Sequence, residues 1–386
     1  MRTVALVDPD GHTTDHELAD PPALYPPGRS PRSRIAYAAA HVIPRATGDN
    51  VPGAPADVDW DSTLAFRHHL WSWGLGVADA MDTAQRNMGL DAGATRELIT
   101  RTAAEASSVG GALVVGVNTD HLATETATLS EIADAYVEQL QFAEDHGAGV
   151  VLMASRHLAR AASSAAEYEW VYRQVLDRAG APVVLHWLGE AFDPQLAGYF
   201  GADPAATVLR IMNDNLGRVR GIKVSLLDAG REVDLRARLP HEITMFTGDD
   251  YHYVSLIEGD GQQHSDALLG AFAAIAPLAS AALQALDEGD VPGYRRILGP
   301  TEALSQQIFA APTSFYKTGV AFMSWLNGHQ PAFAMVGGLH AARSLPHLSR
   351  IVRLADAAGA LTDPALAAQR WNALLAVHGL GDRVLA

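Results

Sequence analysis

Short apolar runs alternate with longer amphipathic stretches through most of this chain, and that alternation restricts the fold more than any other feature. The runs are RIAYAAAHVI (34–43), GVADAM (76–81), GALVVGVN (111–118), GVVLMAS (149–155), APVVLHWL (181–188), VRGIKVSLL (219–227) and ITMFTG (243–248), with an eighth expected near residues 256–265. Most are continuous and carry β-branched side chains, the pattern of a parallel strand buried on both faces. Between them, residues 95–108, 129–147, 164–180 and 203–214 space apolar side chains three and four apart, as helices with one buried face do. Gly147 and Gly180 sit where helix C-caps belong. Eight strands with intervening helices make a closed parallel barrel or a long doubly wound sheet. No GxGxxG follows the first run and no GxxxxGK[ST] occurs, which favours the barrel.

The flanks differ from this middle. Residues 1–33 combine a short apolar start with the turn-rich DPDGH and the Pro-dense PPALYPPGRSPRS, and predict a small ribbon or arm rather than a helix. From about residue 267 the pattern is helical almost throughout. The expected organisation is therefore an N-terminal extension (1–33), a (β/α)8 TIM barrel (34–290) and a C-terminal helical cap (291–386). The chain begins without the charged start and apolar run of a secretory signal, and nothing approaches about 18 uninterrupted apolar residues. Cytoplasm is the expected location, with no membrane partner. A net charge of −16 argues against a nucleic-acid partner. The absence of cysteine excludes disulfides, thiolate metal sites and cysteine nucleophiles.

One count points to chemistry. Of 28 basic Lys and Arg side chains, only Lys223 and Lys317 are lysine. Arginine stays protonated and forms no Schiff base, whereas a lysine within an apolar strand can lose its proton and attack a ketone. Lys223 lies in the sixth run. The bland alternative is a lysine paired with a nearby carboxylate.

The stretch GIKVS (221–225), followed one strand later by FTGDD (246–250), resembles the dihydrodipicolinate synthase / N-acetylneuraminate lyase family of class I aldolases. There the sixth strand carries G-I-K and the seventh ends in S-G-D-D. APVVLHWLGEAFDP resembles that family's fifth strand, LLGAFAAIAPLAS the helix after its eighth, and APTSFYKTGVAFMSWLNG its C-terminal helices. The resemblance spans roughly residues 34–360 and implies a barrel lyase that uses Lys223 on a small keto substrate without a cofactor or metal. It also implies a homo-oligomer, common among members of that family, and it puts Lys317 on a C-terminal helix away from the barrel mouth.

The chain departs from the family at two strand ends. Where the second strand usually ends in G-T-T-G-E, this chain has Met81-Asp82-Thr83-Ala84-Gln85, and an aspartate there would repel a substrate carboxylate. The substrate expected is accordingly a keto-sugar or sugar-acid derivative. Where the fourth strand usually ends in T-P-Y-Y, this chain has Ala154-Ser155-Arg156-His157. His157 is then the candidate acid/base, with His186 as a second, and Arg156 a candidate for an anionic substrate group. Asp82, Thr83, Asp249, Asp250, His264 and Ser265 are candidate substrate-binding residues at strand ends. Two other readings remain open. One is a metal-dependent isomerase, hydrolase or class II-type aldolase drawing on His41, Asp120, His121, His186, His252 and His264. The other is a non-catalytic sugar-binding barrel.

Overall fold

The computed structural model describes residues 2–380. Its centre is a closed barrel of eight parallel strands: β3 (Ala36–Ala39), β4 (Gly76–Asp79), β5 (Leu113–Val117), β6 (Gly149–Leu152), β7 (Val183–Leu188), β8 (Val219–Ser225), β9 (Thr244–Thr247) and β10 (Asp266–Leu269). They follow one another around the barrel, and β10 closes against β3. Side chains such as Tyr37, Met81, Val151, Val184, Phe246 and Leu268 fill the lumen. The large rings are accommodated by glycine on the neighbouring strand: a Cβ at Gly76 would fall 2.5 Å from Tyr37, and one at Gly221 2.7 Å from Phe246.

Helices α1 (Trp60–Ser72), α2 (Ala92–Val109), α3 (Leu129–Asp145), α4 (Arg156–Ala161), α5 (Ala165–Leu176), α6 (Pro204–Asp214), α7 (Ala229–Arg236), α8 (Tyr253–Glu258), α9 (Ala271–Ala274) and α10 (Ala276–Asp287) occupy the connections and close the barrel. Their starts are written in the sequence. Asp91 caps α2 through the Ala94 amide, and Thr128 with Glu131 forms a capping box on α3. Gly147 takes φ +74 just beyond α3, as a C-cap glycine should. Gly180 does not: α5 ends at Leu176, and the Gly180 amide instead donates to the Glu144 carboxylate.

The eighth strand lies later than the sequence predicts. Residues 253–258 coil into α8, and the strand is the short Asp266–Leu269. A short apolar run does not by itself distinguish helix from strand.

The expected N-terminal ribbon is an antiparallel hairpin of β1 (Thr3–Val7) and β2 (Thr13–Glu17). It packs on the C-terminal helices α11 (Val291–Ile308), α12 (Tyr316–Leu326), α13 (Leu345–Ala357) and α14 (Pro364–Val377), chiefly the last two. The Val7 amide donates to Ser349 Oγ at 2.7 Å, and Trp371 Nε1 donates to the Ala5 carbonyl at 2.8 Å. Among the described residues no helix is long and apolar enough to cross a membrane.

Candidate active site

Lys223 is the fifth residue of β8, paired in register with His186 on β7 and Phe246 on β9. Phe246 belongs to the lumen cluster, so Lys223 and His186 point into the same space near the C-terminal ends of the strands, where barrel enzymes place their chemistry. Lys223 is 7% exposed, and among the described residues its amine has no hydrogen bond or ion pair. Burial lowers its pKa, because the charged form loses its water; the charges of Asp250 and Asp82 oppose that shift. The glycine of the GDD motif has a steric reason here. A Cβ at Gly248 would stand 2.7 Å from Lys223 Cε and 2.2 Å from Ser225 Oγ.

Asp250 is buried at the end of β9, and its carboxylate accepts the Ala271 amide at 2.9 Å. Burial pushes its pKa up; the Ala271 N–H and Lys223 pull it down, and Asp249 pushes it up again. His186 is fully buried. Its Nε2 meets Ser225 Oγ at 3.1 Å, and its Nδ1 has no partner. Burial, then the charge of Lys223, holds this ring well below the usual histidine range, so the imidazole is neutral.

The segment after β4 brings Asp82 and Thr83 to the mouth from the opposite side of the barrel. Ala80, Gln85 and Asn87 all take positive φ, a costly conformation for side-chain-bearing residues. Hydrogen bonds hold it: Gln85 Nε2 donates to the Val336 carbonyl at 2.8 Å, and Arg86 Nη1 to the Ala80 and Gly116 carbonyls. Thr83 Oγ1 lies 2.8 Å from Tyr316 Oη, and Asp82 Oδ2 lies 3.8 Å from Lys317 Nζ. Lys317 is 1% exposed at the start of α12, so the expectation that it lies away from the mouth is corrected. Its helix reaches back over the strand ends. Burial lowers its pKa; Asp82 and Asp193 oppose this, and Arg156 adds to it. Arg156 Nε donates to Asp193 Oδ2 at 2.6 Å beside this group.

The structure does not bring the remaining candidates to Lys223. His157 is clamped between Thr119 Oγ1 on Nδ1 (2.9 Å) and the Thr124 carbonyl on Nε2 (2.9 Å), where it ties down the segment after β5. Asp249 caps its own turn, accepting the Tyr251 and His252 amides and the His252 ring. His264 and Ser265 precede β10 instead of following it, so they lie at the opposite end of the barrel from the mouth. Their placement as mouth residues fails because the eighth strand starts later than expected. Ser265 Oγ joins Glu232 and Arg236 there.

The six histidines and aspartates considered as metal ligands do not gather at one point: His41 bonds to Gln330, Asp120 to Arg86 and, like His121, to Gln139, His186 to Ser225 and His252 to Asp249, while His264 lies at the far end. Among the described residues, the one trio of potential ligand side chains that gathers is Asp8, Asp10 and His12, exposed in the β1–β2 turn.

Sequence comparison places residues 4–380 within the family described as protein of unknown function (DUF993). The chain belongs to that family. A search of curated proteins finds no match. Among solved structures, the fold is that of dihydrodipicolinate synthases. The enzyme from Bacteroides thetaiotaomicron is 18% identical with a TM-score of 0.60, over 81% of this chain and 98% of that one. The enzyme from Aquifex aeolicus is 13% identical with a TM-score of 0.62, over 83% and 97%. A prophage protein of the dihydrodipicolinic acid synthase family from E. coli K12, in complex with pyruvate, is 19% identical with a TM-score of 0.61, over 83% and 98%.

Within this DUF993 chain the mouth contains residues that sequence reasoning did not select: Tyr316, Lys317 and Asp193. The lysine count singled out Lys317 but not its position. Tyr316 stacks on Phe309 with ring centroids 4.3 Å apart and reaches Thr83 across 233 residues of chain, a contact with no local signature. Beside the mouth, a cleft of about 710 Å³ lies against the ends of β7 and β8, lined in part by Trp187, Tyr199, Leu226 and Arg231.

Proposed function

We propose that this protein is a Schiff-base-forming lyase or aldolase acting on a small 2-oxo acid or keto-sugar derivative, with Lys223 as the nucleophile. The observation that carries the reading is Lys223 itself, buried at the lumen end of β8 with no hydrogen bond or ion pair to its amine among the described residues. A structural lysine in such a place would be held by a carboxylate, because an unpaired buried charge is costly. A nucleophilic lysine needs the opposite, a neutral fraction near pH 7. The shared fold with a protein that binds pyruvate supports the same reading.

In this mechanism the Lys223 amine adds to the substrate carbonyl carbon, and loss of water leaves a protonated imine. A base takes the proton of the β-hydroxyl. The electron pair of the adjacent C–C bond moves toward the imine as that bond breaks, and one fragment leaves as an aldehyde. Protonation of the resulting enamine and hydrolysis release the second fragment and return the amine. Condensation is the reverse. His186 is the proton-moving group that the geometry supports, being neutral, beside Lys223 in register and free at Nδ1. In this reading Asp250, Asp82 and Thr83 bind substrate hydroxyls. His157, held by its two threonine contacts, is not part of this mechanism.

The test is borohydride trapping. The protein is incubated with a panel of keto acids and keto sugars, reduced, and mapped by peptide mass spectrometry. An adduct on the Lys223 peptide, absent in Lys223→Met, is the expected result. An adduct confined to Lys317 would overturn the assignment of the nucleophile.

A further inference from the structure

The two lysines of this chain come from β8 and α12 and meet at one barrel mouth, with a single carboxylate, Asp82, acting on both. Asp82 is 15% exposed, and its ion-pair partner is Lys317 at 3.8 Å. Lys317 is fixed from its own side: its Nζ donates to the Ser314 carbonyl at 3.1 Å and lies 4.4 Å from the centre of the Tyr316 ring. The neighbouring charges are already divided. Arg156 holds Asp193, and Asp250 is held by the Ala271 amide. Among the described residues Lys223 is left without a hydrogen bond or ion pair.

We propose that Lys317 is a positioning residue: by holding Asp82 it keeps that carboxylate from the Lys223 amine, which is then more available for attack. The proposal rests on the reading of Lys223 as the nucleophile. An opposite charge close to an amine favours its protonated form, and a protonated amine does not attack a carbonyl. Asp250 and, more weakly, Asp82 act on Lys223 in this way, and Lys317 draws Asp82 the other way. The other groups facing Lys223 are Asp250 with Asp249 after β9, and His186 on β7; among the described residues none of them bonds to Lys317. A compact ammonium suits the task, since it engages the carboxylate without the planar fork of a guanidinium.

The experiment uses the whole protein and needs no knowledge of the substrate. Formaldehyde with cyanoborohydride methylates neutral amines, and with two lysines in the chain each is read on its own peptide. Methylation at Lys223 is followed across roughly pH 6 to 10, the span in which a lowered lysine titrates. In Lys317→Met the freed Asp82 favours the ammonium of Lys223, so the midpoint moves up by about one pH unit and the rate below it falls about tenfold. Lys317→Arg, which keeps the charge, retains most of the wild-type midpoint and controls for folding. Asp82→Asn moves the midpoint down, and adding Lys317→Met to it produces no further change. An unchanged midpoint in Lys317→Met would overturn the proposal. So would an upward shift that persists in the Asp82→Asn background, since Lys317 would then act by direct repulsion. Failure of borohydride trapping together with the expected midpoints would remove Lys223 as the catalytic nucleophile and leave the charge division intact.

Discussion

Around β4, buried charge is closed off in pairs. Arg67 and Asp79 are both fully buried and joined through two parallel hydrogen bonds; Thr102 and the Ala80 amide take up further lone pairs of Asp79, and the His41 and Thr63 carbonyls take up Arg67. Arg86 is likewise bound twice to Asp120 and also to Gln139. Across the barrel, around β8, the polar groups are also buried but left open: among the described residues Lys223 has no hydrogen bond or ion pair, His186 Nδ1 has no partner, and the Asp250 carboxylate has one amide. The closed side fixes the strained segment that carries Asp82 and Thr83. The open side keeps groups whose protonation can change. One barrel thus holds buried polar groups in two ways, closed into pairs on one side and sparsely bonded on the other.

Three perturbations test that contrast. The largest effect belongs to the closed side. Arg67→Met leaves Asp79 buried without its cation and should cost about 3–5 kcal/mol, measured by urea unfolding. A loss well under about 1 kcal/mol would mean that this pair is no more structural than a surface ion pair. Next comes His186→Asn on the open side. It should leave borohydride trapping at Lys223 intact while lowering turnover about a hundredfold, because the imine can still form but proton transfer is impaired. Loss of trapping and turnover together would instead make His186 a support for Lys223.

The smallest effect is a slope. Glu232 on α7 is buried against Thr247 and Ser265, and burial raises its pKa to about 7, with the two hydroxyls and Arg236 lowering it and Asp249 raising it. A carboxyl that is more basic in the folded state binds a proton that the unfolded chain has released. Its contribution is therefore complete below the unfolded value and is lost as pH rises through about 7. Unfolding free energy measured from acid to neutral pH should fall through this window in the wild type, and less so in Glu232→Gln. Equal slopes would show that Glu232 binds its proton no more tightly in the folded protein than in the unfolded chain.

Much of this was legible in the sequence. Seven strands were, because parallel strands buried on both faces leave continuous apolar runs. The eighth was not, because Asp266–Leu269 is four residues long and the apolar run before it, at 253–258, is helical. Lys223 stood out through its rarity and its GIK and GDD context. His157 was chosen by residue type and strand-end position, but the threonines that immobilise it come from another connection. Tyr316 and Lys317 enter the mouth from a helix about 90 residues beyond Lys223, and only tertiary packing places them there.

The hairpin of β1 and β2 has a consequence for the order of events during synthesis. β1 precedes the barrel strands in the chain, yet its partners Ser349 and Trp371 are made 342 and 366 residues after the groups they bond. The strands of the barrel can pair while this segment waits, but α14, which packs on both β1 and α12, arrives last. Lys317, on α12, is therefore made after every strand of the barrel, so β8 and the segment carrying Asp82 exist before the helix that reaches over them.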